Sequence, residues 1–276
     1  MATHDPPAPV DSEPDTTAEL PRELAVLWRS QAPGRRGPRP GLTLDRIADA
    51  AIALADAEGL AAVSMARVAA ALGVTTMALY RYVSSKDELL AVMADVAVGW
   101  PPPPHAAGTE WRVALEGWAH AQIAALTAHP WITRATASPP LGPHSLAWLE
   151  AGLRALDDTP LDPGTRTSVV GALSLHMLSE GQVLAAIADQ ERAQERTGSR
   201  APEHPALVDY ATLLRLLADA DDHPHVVAAV ASGAFDDDPD EPYDTSIGLD
   251  LLLDGIAALI DRAAAQRPPQ DGRGDA

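Results

Sequence analysis

The run Val68-Ala-Ala-Ala-Leu-Gly-Val-Thr-Thr-Met-Ala-Leu-Tyr-Arg-Tyr82 constrains the fold of this 276-residue chain more than any other segment. It reads as two short helices joined by a tight turn, and each residue type has a mechanical reason. Ala69 is small enough to let two crossing helices approach. Gly73 can take the left-handed backbone that ends one helix and opens the turn. Val68, Leu72, Val74 and Leu79 supply a small shared core. Helices joined in this way cross steeply, the arrangement of a helix-turn-helix. The competing reading is an ordinary helical hairpin inside an all-α core.

Helical signals surround this run. Thr43 is an N-cap with Asp45 in the first turn, and Leu44, Ile47, Ala48, Ala51, Ile52, Leu54 and Ala55 keep helical spacing up to Gly59. Ser64 caps a helix over Met65–Leu72, and another runs from about Thr76 to Tyr82. Ser85 and Glu88 form a capping box for a helix reaching about Val98. Pro101-Pro-Pro-Pro104 ends it and separates a head from a body. In the body, residues 109–128, 145–157, 164–196, 205–219 and 244–266 have helical patterning, broken by Pro-, Gly- or Asp-rich joints. Val169 to Ile187 is apolar or small nearly all round, which implies burial on several sides. The last helix carries a stripe of Leu249, Leu252, Leu253, Ile256, Leu259, Ile260 and Ala263, with Asp250, Asp254 and Asp261 off it. Strand, hairpin and repeat signals are lacking. The expected fold is all-α: a three-helix helix-turn-helix domain over 42–90 and a helical-bundle body over 91–266. Residues 1–41 read as a disordered acidic N-terminus with a basic arm, in which Leu24–Trp28 makes a short docking turn. Residues 267–276 read as a disordered tail, and Asp236–Glu241 as a solvated loop.

Charge is unevenly shared. The chain carries −19, yet residues 22–86 alone are +4, against −5 before them and −18 after them. A basic module joined to an acidic body suggests a nucleic-acid reader attached to something else. Cysteine is absent, which excludes disulfides, thiol nucleophiles and Cys-ligated metals and fits a reducing compartment. No run approaches 18 uninterrupted apolar residues and no secretory signal opens the sequence, so a cytoplasmic protein without a membrane partner is expected.

The stretch from Leu42 to Leu90 closely resembles the DNA-binding domain of the tetracycline-repressor (TetR) family. Leu79-Tyr-Arg-Tyr-Val83 and Lys86-Asp-Glu-Leu-Leu90 match that family's hallmark run. Pro139–Glu150 and Gly248–Ile256 look, more loosely, like the regulatory domain of actinobacterial members. The resemblance implies that the third helix enters the major groove, which is wide enough to admit it. Thr75, Thr76, Met77, Ala78 and Arg81 then lie nearest the base edges: Arg81 suits a guanine, Met77 and Ala78 suit thymine methyls. Tyr80 and Lys86 occupy positions that family members use for phosphate. Thr43, Ser64 and Arg67 are further backbone contacts, and Arg35, Arg36 and Arg39 form an arm for a narrow minor groove. One departure stands out, because several relatives carry a base-reading Arg where this sequence has Ala66. For Tyr82, packing is preferred over a DNA contact.

The same resemblance implies a homodimer on a palindromic operator, with the 164–196 and 244–266 helices pairing in a four-helix bundle. Packing of those helices within one chain is the alternative. It also implies a regulator, more often a repressor than an activator, that a small-molecule effector releases from double-stranded DNA. Trp111, Trp118, His120, Trp131, Trp148, His176, Met177 and Gln182 are the candidate pocket residues, because amphipathic groups on buried helices suit ligands of mixed polarity. Core packing is the preferred reading of each, least so for His176. Catalytic fingerprints are missing, so no enzyme, no cofactor and no metal are expected. His223-Pro-His225 beside Asp221 and Asp222 has metal-ligand chemistry, but a Pro-rich loop of solvated charge is the preferred reading. An all-α ligand-binding or catalytic protein without DNA activity remains the rival class.

Overall fold

The computed structural model describes residues 22–28, 42–106, 108–135, 141–197, 210–235 and 246–266, all of them helix, turn or irregular connection. The residues before 22, the basic arm with Arg35, Arg36 and Arg39, the Asp236–Glu241 run and the tail from 267 lie outside the described residues. In chain order the helices are α1 (Arg22–Ala25), α2 (Leu44–Glu58), α3 (Met65–Leu72), α4 (Thr76–Leu79), α5 (Lys86–Val98), α6 (Trp111–Ala128), α7 (Ile132–Ala135), α8 (Pro143–Arg154), α9 (Pro163–Thr197), α10 (Tyr210–Leu217), α11 (Pro224–Ala231) and α12 (Ser246–Gln266). They fall into two compact units. One runs up to Ala97 and takes in 135–146; the other holds 98–134 and everything from Ala147.

In the first unit the ends of the helices follow from side-chain chemistry. Thr43 accepts from the Arg46 N–H, Ser64 from the Arg67 N–H and Thr75 from the Ala78 N–H, each satisfying a donor that the first turn leaves unpaired. Gly73 ends α3 at φ +67° in the left-handed region, with its own N–H returned to Ala69 and Ala70. Ser85 caps α5 by accepting from the Glu88 N–H, while the Glu88 carboxylate reaches back to accept from the Ser84 N–H. Ile47, Ala48, Ala51, Val63, Val68, Leu79, Val83 and Leu89 are fully buried and form the core of this unit. The Leu24–Trp28 segment docks as the sequence suggests: Val26 and Leu27 are buried, and the Trp28 indole N–H donates to the Leu141 carbonyl at 3.0 Å.

A buried carboxylate also belongs to this unit. Asp95, on α5, is 2% exposed and accepts from the Ser145 N–H (3.0 Å), the Ser145 hydroxyl (2.8 Å) and the His144 ring at Nδ1 (2.9 Å). Ser145 and His144 open α8, so a negative group sits where the helix leaves its N–H donors unpaired. Gly142 just ahead is obligatory in size, because any side chain there would run into the Asp95 carboxyl.

The second unit packs α6 against α9, with α12 along both. Leu115, Trp118, Leu156, Leu173, Met177, Leu249, Leu253 and Ile256 form its core. Gly152 and Gly181 permit close approach, their Cα positions facing Trp118 with Val170 and Leu126 respectively. Trp118 and Trp148 meet edge to face at 6.2 Å, and their indole N–H groups donate to the Trp148 and Gly99 carbonyls.

Three sequence expectations need correction. Pro224 and His225, expected in a Pro-rich loop, instead open the helix over 224–231, because Pro224 stands at the first helical position, where a missing N–H costs nothing. The stripe of α12 turns inward: Leu249, Leu253 and Ile256 are core, whereas Ile247, Leu251 and Leu259 face outward. The Val169–Ile187 stretch is not enclosed on several sides either, since Val170, Leu173 and Met177 are buried but Leu175 is 70% exposed.

Burial pushes the Asp95 carboxyl up, but the hydrogen bonds from His144 and Ser145 more than reverse this, and its pKa lies below the ordinary 3.8. A lowered carboxylate stabilises the fold above its unfolded pKa and loses that contribution as pH falls through the folded value. Asp95→Asn should therefore cost roughly 1–3 kcal/mol at neutral pH, by leaving donors without a charged acceptor. The gap between wild type and variant, followed by urea unfolding, should narrow on acidification below pH 3.8. A gap that stays constant would remove Asp95 from this role.

Candidate nucleic-acid interface

The reading face is built around α4. This helix is a single turn of four residues, extended by Tyr82 N–H to Leu79 carbonyl and Val83 N–H to Leu79 carbonyl bonds. Leu79 and Val83 are wholly buried and fix one side of it. The other side is open: Met77 is 73% exposed and Tyr80 48%, with Thr75 and Arg81 exposed beside them and Thr76 and Ala78 half-buried. An exposed methionine and tyrosine on one short helix form an apolar patch with no cover inside the unit. Arg81 adds a planar donor and Lys86 an exposed ammonium at the start of α5.

Other residues named from the sequence have different surroundings. The Thr43 and Ser64 oxygens accept capping bonds, which leaves their O–H groups able to donate outward. Arg67 forms a two-pronged pair with Glu58, at 2.9 and 2.5 Å. The mutual hydrogen bond raises the Arg67 pKa and lowers that of Glu58. A phosphate at Arg67 therefore competes with a carboxylate already in place. Tyr82 donates its hydroxyl to the Leu42 carbonyl at 2.8 Å, the packing role preferred for it. The Glu58–Arg67 pair had no visible signal, since the residues are nine apart across a helix end.

The body contains a cavity of about 770 Å³. Of the eight sequence candidates, Trp111 and Trp118 line it; Trp100, His105, Glu110, Glu150, Arg154 and Asp158 line it too and were not singled out. Trp148 backs Trp118 from behind. Trp131 is buried against His129, and Met177 is core. His120 and Gln182 are exposed. His176 has its Nε2 buried without a partner, 3.9 Å from Glu180 Oε1, and the ring fills the space beside Gly248. No group of three or more metal-ligating side chains occurs among the described residues. His223 instead accepts from the Asp219 N–H at its Nδ1.

Comparison with known proteins agrees with this geometry. Residues 47–93 match the family model "Bacterial regulatory proteins, tetR family", and residues 103–260 match "Tetracyclin repressor-like, C-terminal domain". The HTH-type transcriptional repressor DrrR1 of Streptomyces coeruleorubidus is 35% identical over 263 residues, covering 94% of this chain and 93% of that protein. An HTH-type transcriptional regulator of Saccharopolyspora erythraea is 29% identical over 196 residues, 66% of this chain and 80% of the other. Apo ActR of Streptomyces coelicolor has the same fold at a TM-score of 0.65 and 23% identity, covering 82% of this chain and 100% of that one. ActR in complex with (S)-DNPA superposes at 0.63 with 24% identity, over 79% and 98%. With both family models matched and a relative of this identity spanning almost the whole length, the chain belongs to the TetR family of helix-turn-helix transcriptional regulators.

Proposed function

We propose that the chain is a cytoplasmic repressor that binds a palindromic operator as a homodimer and leaves it when a small molecule fills the cavity of the body. Residues 42–90 serve as the DNA-reading domain and 91–266 as the regulatory and dimerisation domain. The observation that carries the DNA reading is the two-sided character of α4, with Leu79 fully buried and Met77 73% exposed. A short helix anchored on one side and apolar on the other is suited to a major groove lined with thymine methyls. Thr75, Thr76, Met77, Ala78 and Arg81 face the bases; Thr43, Ser64, Tyr80 and Lys86 hold phosphates and set the register. The Arg35, Arg36 and Arg39 arm adds contacts in the minor groove. No catalytic step, cofactor or metal enters this mechanism.

The homodimer rests on the outward faces of α9 and α12. Leu175 (70% exposed), Ile247 (65%) and Leu251 (69%) are left open by the described residues. The window Pro163–Ala188 is even apolar enough, by length and composition, to cross a membrane, with only 28% of it buried. Pairing two such faces in a four-helix bundle removes them from water and holds two heads for two half-sites about 34 Å apart.

Two outcomes follow. In gel shifts with DNA flanking its own gene, Tyr80→Ala and Lys86→Ala should weaken all operator variants alike. Arg81→Ala should lose roughly 1–3 kcal/mol only where one base of each half-site is intact. Uniform losses from all three would contradict the division between readers and positioners. Leu175→Glu combined with Leu251→Glu should give a folded monomer by light scattering, with operator affinity lost. A dimer of unchanged stability would move the interface elsewhere.

A further inference from the structure

We infer that the cavity of the body selects a cationic, planar aromatic ligand, an inference that rests on the effector reading above. Its floor is aromatic and small: Trp118 and Ala114 are buried, Trp111 is half-buried, and Ala151 on α8 leaves room for a flat ring. Its rim is acidic. Glu110, Glu150, Asp157 and Asp158 stand there against Arg154 and His105. Two of the four acids are neutralised locally, Glu150 by Arg154 at 2.9 Å and Asp157 by Arg166 at 3.1 Å. Glu110 and Asp158 have no ion-pair partner among the described residues. Glu110 occupies the N-cap position of α6, yet its carboxylate makes no capping bond and stays available.

The indole N–H of Trp118 is already committed to the Trp148 carbonyl, so this ring presents the cavity with aromatic surface and no free donor. An indole face attracts a cation through its quadrupole, and two uncompensated carboxylates at the mouth attract the same charge. An anion would meet both as repulsion. The body as a whole is strongly negative, so a cation gathers near it in any case. The distinguishing claim is therefore the local one, in which Glu110, Asp158 and Trp111 set the preference.

A matched series tests this on the full-length protein by isothermal titration in mildly alkaline buffer: 9-aminoacridine as the cation, acridine as the neutral ring, and acridine-9-carboxylate as the anion. The cation should bind about tenfold more tightly than the neutral ring, and the anion weakest. Glu110→Gln with Asp158→Asn should remove most of the advantage of the cation while leaving acridine unaffected. High salt should act in the same direction. Trp111→Leu, checked for folding by circular dichroism, should weaken all three. Binding that Trp111→Leu weakens but that ignores charge would overturn the cationic class and leave the effector cavity standing. Binding insensitive to Trp111→Leu and to the double variant, or no binding of any of the three, would overturn the site itself.

Discussion

A helix of four residues has no stability of its own, because fixing its first turn costs more conformational freedom than one hydrogen bond returns. The face that α4 turns to solvent therefore exists only through what holds the other side. Leu79 and Val83 are buried to the last atom, Thr75 caps the first turn, and Gly73 delivers the chain at an angle open to few other residues. The Tyr82 hydroxyl, tied to the Leu42 carbonyl, links the end of this turn to the threshold of α2 across forty residues. With so many fixed points around so short a helix, Met77, Tyr80 and Arg81 are presented in a defined direction without contributing to the fold. Such a separation between anchoring and displayed residues is what allows a sequence to vary its specificity on an unchanged scaffold.

Electrostatics then works on two scales. Over the whole chain the charge is −19, so attraction to DNA has to be local. The head supplies that locality, although Arg67 is already engaged with Glu58. An exposed pair of this kind contributes little to stability. Its larger effect is to commit one of the cations of the head to a carboxylate, while Arg81 and Lys86 stand exposed. Asp95 illustrates the opposite regime. Out of water, a carboxylate is tolerable only with donors around it, and the opening of α8 provides four, from the backbone and side chains of His144 and Ser145.

Local chemistry was legible in the sequence and assembly was not. The caps at Thr43 and Ser64, the stop at Gly73 and the limits of α3 are decided within a few residues, and reading them requires no knowledge of the rest. The same locality misled at Pro224, where proline signals either a break or a first turn and only the following Val-Val-Ala-Ala-Val resolves which. The α12 stripe was recognised as apolar, but nothing within a helix says whether its stripe meets its own core or another chain. Asp95 left a faint trace, an acid among Leu89, Val92 and Met93 on an apolar helix, whose meaning depends on Ser145 fifty residues later. The cavity is the extreme case. Its walls come from the Pro101–Pro104 run, α6, α8 and the turn at Asp158, so Trp111 and Trp118 were found only because tryptophan draws attention anywhere.

The outward face of α9 shows why composition alone misdescribes this helix. A lipid-facing helix needs apolar side chains around its whole circumference, since hydrocarbon offers nothing to a polar group. Here Arg166, Thr167, Ser168, Ser179 and Gln182 interrupt the apolar positions, and Arg166 is bonded to Asp157 and to three backbone carbonyls. The exposed surface alternates Leu175 and Val183 with Gly171, Ala172 and Ser179, and α12 does the same with Leu251, Gly255 and Ala258. Large residues beside small ones make ridges and hollows, the relief by which one helix seats against another. Such relief favours packing against a helix whose own ridges match the hollows.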